Sequence, residues 1–210
     1  AAQVAANNTG IVEINSMIEQ FGIETVHSYM NHVQDNAEEC IRNAIVNLRE
    51  GKYEYELDNG EFIRVKITID KIKREATIDF TGTAPKNPFN YNAPMAVCHA
   101  VILYVFRTLV GSNIPLNEGC FKPLNIIIPN NAMINAKYPS AVIAGNTEVS
   151  QLTCNALFGA LGIIAGSQAT MNNFIWGNDK IQNYETICGG TGAGPNFHGT
   201  SAVQTHMTNT

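Results

Sequence analysis

The residues of this sequence that could do chemistry lie mostly in its final segment, 185–210, ETICGGTGAGPNFHGTSAVQTHMTNT. Spaced glycines in GGTGAGP let backbone N–H groups converge on an anion, so phosphate binding is the first chemistry to consider. The loop lacks the Gly-Lys-Ser/Thr ending of a P-loop, and Pro195 opposes the helix that a dinucleotide fingerprint requires. The spacing leaves two interpretations open, an anion-binding nest and a set of tight turns, and it favours tight turns.

The side chains around these glycines suggest further kinds of site. Cys188 has neither a Gly-x-Ser-x-Gly elbow nor basic neighbours, which argues against a cysteine nucleophile. The THMTNT stretch places His206 and Asn209 among three hydroxyl groups, a polar density that core strands avoid because buried polar groups need partners. His206 and Asn209 are therefore candidates for a site or an interface, and the spacing of His198 from His206 neither supports nor excludes a shared metal.

Hydrophobic periodicity predicts the elements that position these residues, beginning with two helices and a meander. A short helix is expected over 12–21, with Thr9 as its cap. Apolar residues at steps of three and four predict a long amphipathic helix over 24–50 that ends at Gly51. After that glycine the period becomes two, in FIRVKITID and ATIDF, which predicts an antiparallel meander joined by a turn at DNG.

The second half of the chain alternates helices with short strands. Pro94 opens an apolar helix, and a strand is predicted over 124–128, with another near 140–144. Asn146 is expected to cap the next helix, and FIWG and YETI are expected strands. The order favours an α+β fold with a largely antiparallel sheet around a single core, divided into a helical part (1–51), a β-meander (52–85) and a mixed α/β part (86–210) that contains the glycine-rich loop.

Composition excludes several functional classes. A net charge of −5 with no clustered basic face argues against nucleic-acid binding. No apolar run reaches the length that crosses a bilayer, and the first residues lack a secretion signal. Five widely spaced cysteines resemble neither a disulfide framework nor a zinc knuckle, so a soluble, cytoplasmic protein is expected.

Six ordered stretches together resemble the hydantoinase B / 5-oxoprolinase family. They are DFTGTAP, PLNEGCFKPLNIIIP, YPSAVIAGNTEVSQ, GSQATMNN, YETICGGTGAGPNFHG and THMTNT. The resemblance implies an ATP-dependent hydrolase of cyclic amides such as 5-oxoproline or N-methylhydantoin. It also implies a hydantoinase A-type nucleotide-binding subunit, or a fused half, that binds the ATP, and phosphorylation of a substrate oxygen away from water.

The resemblance also implies which residues form the site. Cys188 stands where the family has glycine and His198 where it usually has aspartate, so neither is expected to be essential. Residues that fit the pattern are the catalytic candidates His206, Asn209 and Glu148 and the substrate-binding candidates Gly189, Gly190, Gly192, Gly194, Asn146 and Gln151. For Glu148 and Gln151, helix capping and a site role are evenly balanced.

Three functions are compatible with the sequence. The family also includes subunits of ATP-dependent carboxylases of ketones such as acetone and acetophenone, and the asparagine-rich, charge-poor composition would suit a scaffolding and subunit-docking module. Family members are longer than this chain, so Thr210 is expected to be a cut. The family's metal-binding histidine and aspartate motifs are expected upstream, which leaves a divalent metal and its identity open.

Overall fold

Two helices begin the structure, a computed structural model that describes residues 1–111 and 113–203. Helix α1 spans Ala2–Phe21 and helix α2 spans Ile23–Ile45. Gly22 separates them with φ 82°, a left-handed backbone conformation that glycine adopts without a steric penalty. Helix α1 buries none of its residues, whereas α2 buries one stripe that includes Ala37, Ile41 and Ile45.

The predicted bounds of both helices are wrong at one end. Helix α1 begins ten residues earlier than expected because its alanine-rich start favours helix. Thr9 lies inside the helix, where its hydroxyl donates to the Ala5 carbonyl, and does not cap it. Helix α2 ends at Ile45, and the chain then tightens into i→i+3 hydrogen bonds that end with Leu48 donating to the Ile45 carbonyl.

Four strands form the main sheet, in the order β1-β2-β3-β4. The first three are antiparallel neighbours, as the meander predicted. The fourth strand pairs with β3 in parallel, which makes the sheet mixed. Their bounds are Gly51–Glu56 (β1), Phe62–Asp70 (β2), Glu75–Asp79 (β3) and Leu124–Ile127 (β4).

One hydrophobic core joins the sheet to the helices. Alternate residues of β2, namely Ile63, Val65 and Ile67, are almost fully buried, and each such side chain contributes roughly 1.5–3 kcal/mol of burial free energy. Helices α3 (Met95–Thr108) and α4 (Ser150–Leu161) contribute to the same cluster. The prediction of an α+β fold with a single core is confirmed.

The segment before α4 differs from the prediction. No strand forms at 140–144, because Asn90 and Asn92 bind its backbone: the Ala144 N–H donates to the Asn90 carbonyl, and Asn92 Nδ2 donates to the Ala141 carbonyl. A π-helical turn over Gly145–Val149 leads into α4. Asn146 lies within this turn and makes no capping hydrogen bond, so its predicted capping role is wrong.

A separate two-stranded hairpin follows α4. Strands β5 (Asn173–Gly177) and β6 (Gln182–Thr186) pair with each other in antiparallel order. Every residue of β5 is exposed, including Trp176. Among the residues that the structure describes, no helix has both the length and the apolar character to cross a lipid bilayer.

Candidate functional site

A cavity of about 670 Å³ lies between helices α3 and α4. Ala96, Ala100 and Tyr104 of α3 form one side, and Cys154 and Phe158 of α4 form the other. The remaining lining residues are Val97, Val101, Asn146, Ser150, Gln151, Asn155, Ile164, Ala165, Ser167, Gly190, Thr191 and Gly192. The lining combines an apolar wall with a few polar groups, which is typical of small-molecule sites.

Four of the residues predicted for the site line this one cavity. Asn146 and Gln151 reach it from the start of α4, and Gly190 and Gly192 reach it from the glycine-rich loop. A second cavity of similar size, about 640 Å³, is lined by residues 48–50, before β1, and 69–72, at the end of β2, and by none of the predicted residues. Because four of the predicted residues line it, the cavity between α3 and α4 is the candidate functional site.

The π-helical turn brings Asn146 to the cavity. Gly145 begins the turn against the Asn92 carbonyl, where a Cβ atom would lie 3.0 Å from that oxygen. Asn92 is fully buried, and its Nδ2 lies 2.8–3.0 Å from three carbonyl oxygens, those of Asn87, Phe89 and Ala141. The asparagine-rich loop thus fixes where the turn begins, and π turns occur frequently at functional sites.

Close packing explains the glycines of the loop better than turn geometry does. A Cβ on Gly192 would lie 1.9 Å from the Ala165 carbonyl oxygen, and one on Gly190 would lie 2.6 Å from the Thr200 carbonyl oxygen. Neither residue has a positive φ, so the left-handed residues that a type II, I′ or II′ turn or an αR-αL anion nest uses are missing from these positions. The backbone of the glycine-rich loop therefore packs directly against the backbone at Ala165 and Thr200.

Backbone hydrogen bonds hold the loop in place. The Ala165 N–H donates to the Ala193 carbonyl at 2.7 Å, and the Thr191 N–H donates to the Thr200 carbonyl at 2.9 Å. The buried Gly189 accepts a hydrogen bond from the Val203 N–H. Gly189 therefore helps to hold the loop through its carbonyl group and does not line the cavity.

Gly194 belongs to a smaller, neighbouring cavity. This cavity has a volume of about 310 Å³ and is lined also by Tyr53, Tyr55 and Gly159. Asn155 lies between the two cavities and lines both. Three of the four predicted loop glycines are thus divided between two neighbouring cavities, Gly190 and Gly192 in the larger and Gly194 in the smaller.

Glu148 lies beside the cavity but does not line it. Its Oε1 accepts a hydrogen bond of 2.6 Å from the Thr170 hydroxyl. This bond ties the π-helical turn to the segment that precedes β5. The carboxylate is half-buried, and one of its oxygens accepts the hydrogen bond from Thr170. This arrangement suits either a positioning role or a proton-transfer role.

Two amide side chains give the cavity its polar character. The Gln151 Oε1 atom is buried and accepts no hydrogen bond within the described part of the chain, while Nε2 lies 3.5 Å from the Thr147 carbonyl. Asn155 is buried, and it pairs with Ser167 through two hydrogen bonds. The Gln151 Oε1 atom could therefore accept a hydrogen bond from a ligand. The Asn155 side chain is held in the cavity wall by its two hydrogen bonds to Ser167.

Cys154 faces the cavity as a thiol and not as a thiolate. Burial raises the pKa of Cys154 from its ordinary value of 9.0 to about 12, and burial does the same to Cys98 in α3. Burial also raises the pKa of Tyr104 on the opposite wall, with a smaller contribution from Cys154. At neutral pH these groups act as weak hydrogen-bonding partners, not as nucleophiles.

The raised thiol pKa values predict slow alkylation and a loss of stability at high pH. Iodoacetamide at pH 8 should modify the exposed Cys188 far faster than Cys154 or Cys98, because burial raises the pKa of those two thiols to about 12 and also restricts access of the reagent. Stability should fall as pH rises from 9 towards 12, because unfolded thiols ionise in that range and buried ones do not. Mass spectrometry of a timed reaction checks the first result, and equal rates would contradict it.

The remaining predicted residues lie away from the cavity. Cys188 and His198 are exposed. His206 and Asn209 lie outside the described residues. Within 1–111 and 113–203 no group of three or more His, Cys, Asp or Glu side chains is placed to hold a metal.

Sequence reasoning did not single out Cys154, Asn155 or Thr170. Asn155 could have been identified from the sequence, because it is a polar residue within the apolar run of α4. A buried polar group in such a run requires a hydrogen-bond partner. Cys154 and Thr170 gave no comparable signal, since their importance depends on contacts between segments that only the fold brings together.

Comparisons with known proteins show which family and fold this chain resembles. 5-oxoprolinase 1 of Arabidopsis thaliana is 44% identical over 228 residues, which cover 100% of this chain and 18% of the relative. The crystal structure of an ATP-dependent caprolactamase from Pseudomonas jessenii has a TM-score of 0.70 at 19% identity, covering 96% of this chain and 38% of that one. A nucleotide-free acetone carboxylase structure has a TM-score of 0.71 at 15% identity, covering 91% and 30%.

These matches concern one part of longer proteins. The chain spans less than a fifth of the length of the Arabidopsis relative. The likeness to the two solved structures establishes the fold. The Hydantoinase B/oxoprolinase family model matches residues 1–210, and the chain therefore belongs to the hydantoinase B/oxoprolinase family.

Proposed function

We propose that this chain forms part of an ATP-dependent hydrolase of cyclic amides, of the hydantoin and 5-oxoproline type. The cavity between α3 and α4 is part of its substrate pocket, and a hydantoinase A-type subunit or fused half binds the ATP. The observation that carries the proposal is the convergence of Asn146, Gln151, Gly190 and Gly192 on one cavity. The 44% identity to a protein named 5-oxoprolinase supports the choice of substrate class.

The lining of the cavity suits a small ring with one polar edge. Ala96, Ala100 and Phe158 offer an apolar surface for ring carbons, and Ser150 and Gln151 add hydrogen-bonding groups to the lining. A volume of about 670 Å³ lies within the usual range for small-molecule sites and leaves room beyond a five- or six-membered ring. Such a pocket would orient the ring while its apolar wall excludes water.

The described residues do not fit ATP itself. A phosphate cradle needs backbone N–H groups arranged by left-handed residues or by a helix N-terminus, together with a cation. The glycine-rich loop has no left-handed glycine at Gly190, Gly192 or Gly194, and it pairs with the backbone at Ala165 and Thr200. These observations support the proposal that the nucleotide binds to the partner half and that this chain supplies the substrate side.

The catalytic roles of Glu148, His206 and Asn209 are part of the proposal. Glu148 already accepts a hydrogen bond from Thr170, so its free oxygen could exchange a proton with substrate or water. Replacing Glu148 by glutamine keeps this hydrogen bond and removes the charge. We expect kcat to fall roughly 10²–10⁴-fold with an unchanged circular dichroism spectrum, and a fall of less than threefold would remove Glu148 from proton transfer.

A direct assay tests the proposed activity. The protein and its nucleotide-binding partner should hydrolyse ATP faster when 5-oxoproline, hydantoin or caprolactam is added, since the substrate accepts the transferred phosphoryl group. Ring opening should match the extra ATP consumed. ATP hydrolysis that no cyclic amide stimulates would overturn the proposal.

A ketone carboxylase subunit is the second candidate, supported by the TM-score of 0.71 to an acetone carboxylase. Bicarbonate-dependent consumption of acetone or acetophenone by the same assembly would favour it.

A third candidate is a docking module, supported by the exposed apolar side chains of β5 and β6, such as Ile175, Trp176 and Tyr184. In that case Gln151→Ala would leave turnover unchanged in a fully assembled complex.

A further inference from the structure

The Gln151 side chain carries an acceptor atom that meets no donor. Its Oε1 atom is buried and accepts no hydrogen bond within the described part of the chain. Native proteins pair most of their buried polar atoms, and each exception calls for an explanation such as a role in binding. Gln151 lines the cavity between α3 and α4, so a ligand in that cavity is the explanation that its position offers.

The amide of Gln151 is free to turn towards the cavity. The residue is partly exposed and belongs to the cavity lining, although protein atoms cover Oε1 itself. Its Nε2 atom lies 3.5 Å from the Thr147 carbonyl oxygen, which is longer than an ordinary hydrogen bond. The terminal torsion of glutamine is broad. A turn about that torsion therefore gives up one weak contact and brings Oε1 to a donor in the cavity.

The hydrogen bonds at the start of α4 use donor groups and leave acceptors. The Ser150 hydroxyl donates to the Asn146 carbonyl at 2.7 Å, and Gln151 Nε2 approaches the carbonyl of Thr147, each four residues back in the π-helical turn. A hydroxyl that donates its hydrogen keeps the lone pairs of its oxygen. Two successive residues of the lining thus carry acceptor oxygens, Ser150 Oγ and Gln151 Oε1, and this end of the cavity suits a ligand that brings an N–H group.

We propose that Gln151 Oε1 accepts a hydrogen bond from the ring N–H of the substrate, which makes Gln151 the residue that selects cyclic amides over ketones. The inference rests on the proposed function. 5-Oxoproline, hydantoin and caprolactam each carry a ring N–H beside the carbonyl group, whereas a ketone has the carbonyl alone. A bound ketone would leave the acceptor of Gln151 unpaired in a cavity with a largely apolar wall.

A hydrogen bond of this kind discriminates more strongly than shape does. A pocket that fits a ring by its apolar surface separates close analogues weakly, whereas a site that binds an N–H or O–H group rejects analogues that lack it. We therefore expect at least a tenfold preference for a ring amide over a ring ketone of the same shape. That preference should depend on the oxygen of Gln151.

Two ligands of the same shape measure the preference. 3-Oxocyclopentane-1-carboxylate is 5-oxoproline with a CH₂ group in place of the ring N–H, so the pair differs by one hydrogen-bond donor. Isothermal titration calorimetry of the intact assembly, with a non-hydrolysable ATP analogue present, gives a Kd for each ligand. The wild type should bind 5-oxoproline at least tenfold more tightly than the ring ketone. Equal Kd values would overturn the inference.

Substitutions of Gln151 show whether its oxygen is responsible. Gln151→Met keeps the length of the side chain and removes the acceptor, so the preference should fall below threefold, mainly through weaker binding of 5-oxoproline. Gln151→Glu keeps an acceptor oxygen and should keep the tenfold preference. Gln20 provides the matched control, because it is an exposed glutamine in helix α1 and does not line the cavity. Gln20→Met should change neither Kd by more than twofold.

The results separate this inference from the proposed function. If Gln151→Met weakens the amide and the ketone equally, or keeps the wild-type preference, Gln151 does not read the ring N–H and the inference is overturned. Stimulation of ATP hydrolysis by 5-oxoproline would leave the proposed function intact in either case. If Gln151→Met does not fold, the wild-type preference and its retention in Gln151→Glu decide the question. A wild-type assembly that no cyclic amide stimulates would overturn both.

Discussion

Replacing Gly192 by alanine should destabilise the protein by about 1–3 kcal/mol and remove most cyclic-amide turnover. The new Cβ would lie 1.9 Å from the carbonyl oxygen of Ala165 and 2.8 Å from its carbonyl carbon. These are backbone atoms that cannot rotate away. The loop must therefore move off the 163–167 segment, which breaks the hydrogen bond from the Ala165 N–H to Ala193 and opens the wall of the cavity.

Gly166 offers a matched control for this substitution. It lies one residue beyond Ala165, it has no positive φ, and an added Cβ would lie 3.5 Å from the Asn155 side chain, an ordinary contact distance. Gly166→Ala should change the free energy of unfolding by less than about 1 kcal/mol. Urea denaturation of both variants measures the difference. Equal stabilities would show that the loop does not pack as closely as the structure has it.

Replacing Asn92 by alanine should cost about 2–4 kcal/mol of folding stability. Asn92 is fully buried, its Oδ1 accepts from the Asn87 N–H at 2.9 Å, and its Nδ2 approaches the carbonyls of Phe89 and Ala141. The substitution leaves these backbone groups without that partner in a site closed to water. Since Asn92 also adjoins Gly145, the π-helical turn should lose its fixed start.

The effect of Asn92 on function can be separated from its effect on stability. Asn90→Ala, in the same loop but exposed, should change unfolding free energy by no more than about 0.5 kcal/mol. At a temperature where Asn92→Ala remains folded, KM for the cyclic amide should still rise because Asn146 and Gln151 are no longer held at the cavity. A stable Asn92→Ala variant with wild-type KM would refute the positioning role.

Much of the fold could be predicted because local patterns agree with the tertiary structure. The period-two run of β2 and the turn at Gly60 predicted the meander, and α3 and α4 were marked by apolar runs. The errors occur where distant groups decide the outcome. Val142 and Ile143 favour a strand by residue type, but Asn90 and Asn92, about fifty positions earlier, bind the neighbouring backbone and hold it as a loop.

The candidate site, like the fold, could be predicted from the sequence only in part. Asn146, Gln151, Gly190 and Gly192 could be named from motifs, but the sequence could not say that they share a cavity. Spacing alone favoured tight turns for the glycines, whereas the structure explains them by contact with backbone atoms of Ala165 and Thr200. Contacts between segments remote in sequence have no local signature. For the same reason the unpaired Oε1 atom of Gln151 became apparent only in the folded chain.

The structure of the intact assembly with 5-oxoproline bound tests the central claim most directly. We expect the ring to lie between α3 and α4, with its carbons against Ala100 and Phe158 and a polar atom within hydrogen-bonding distance of Gln151. The ring in a pocket elsewhere, with Ala100 and Gln151 touching neither substrate nor the reacting phosphate, would contradict the account.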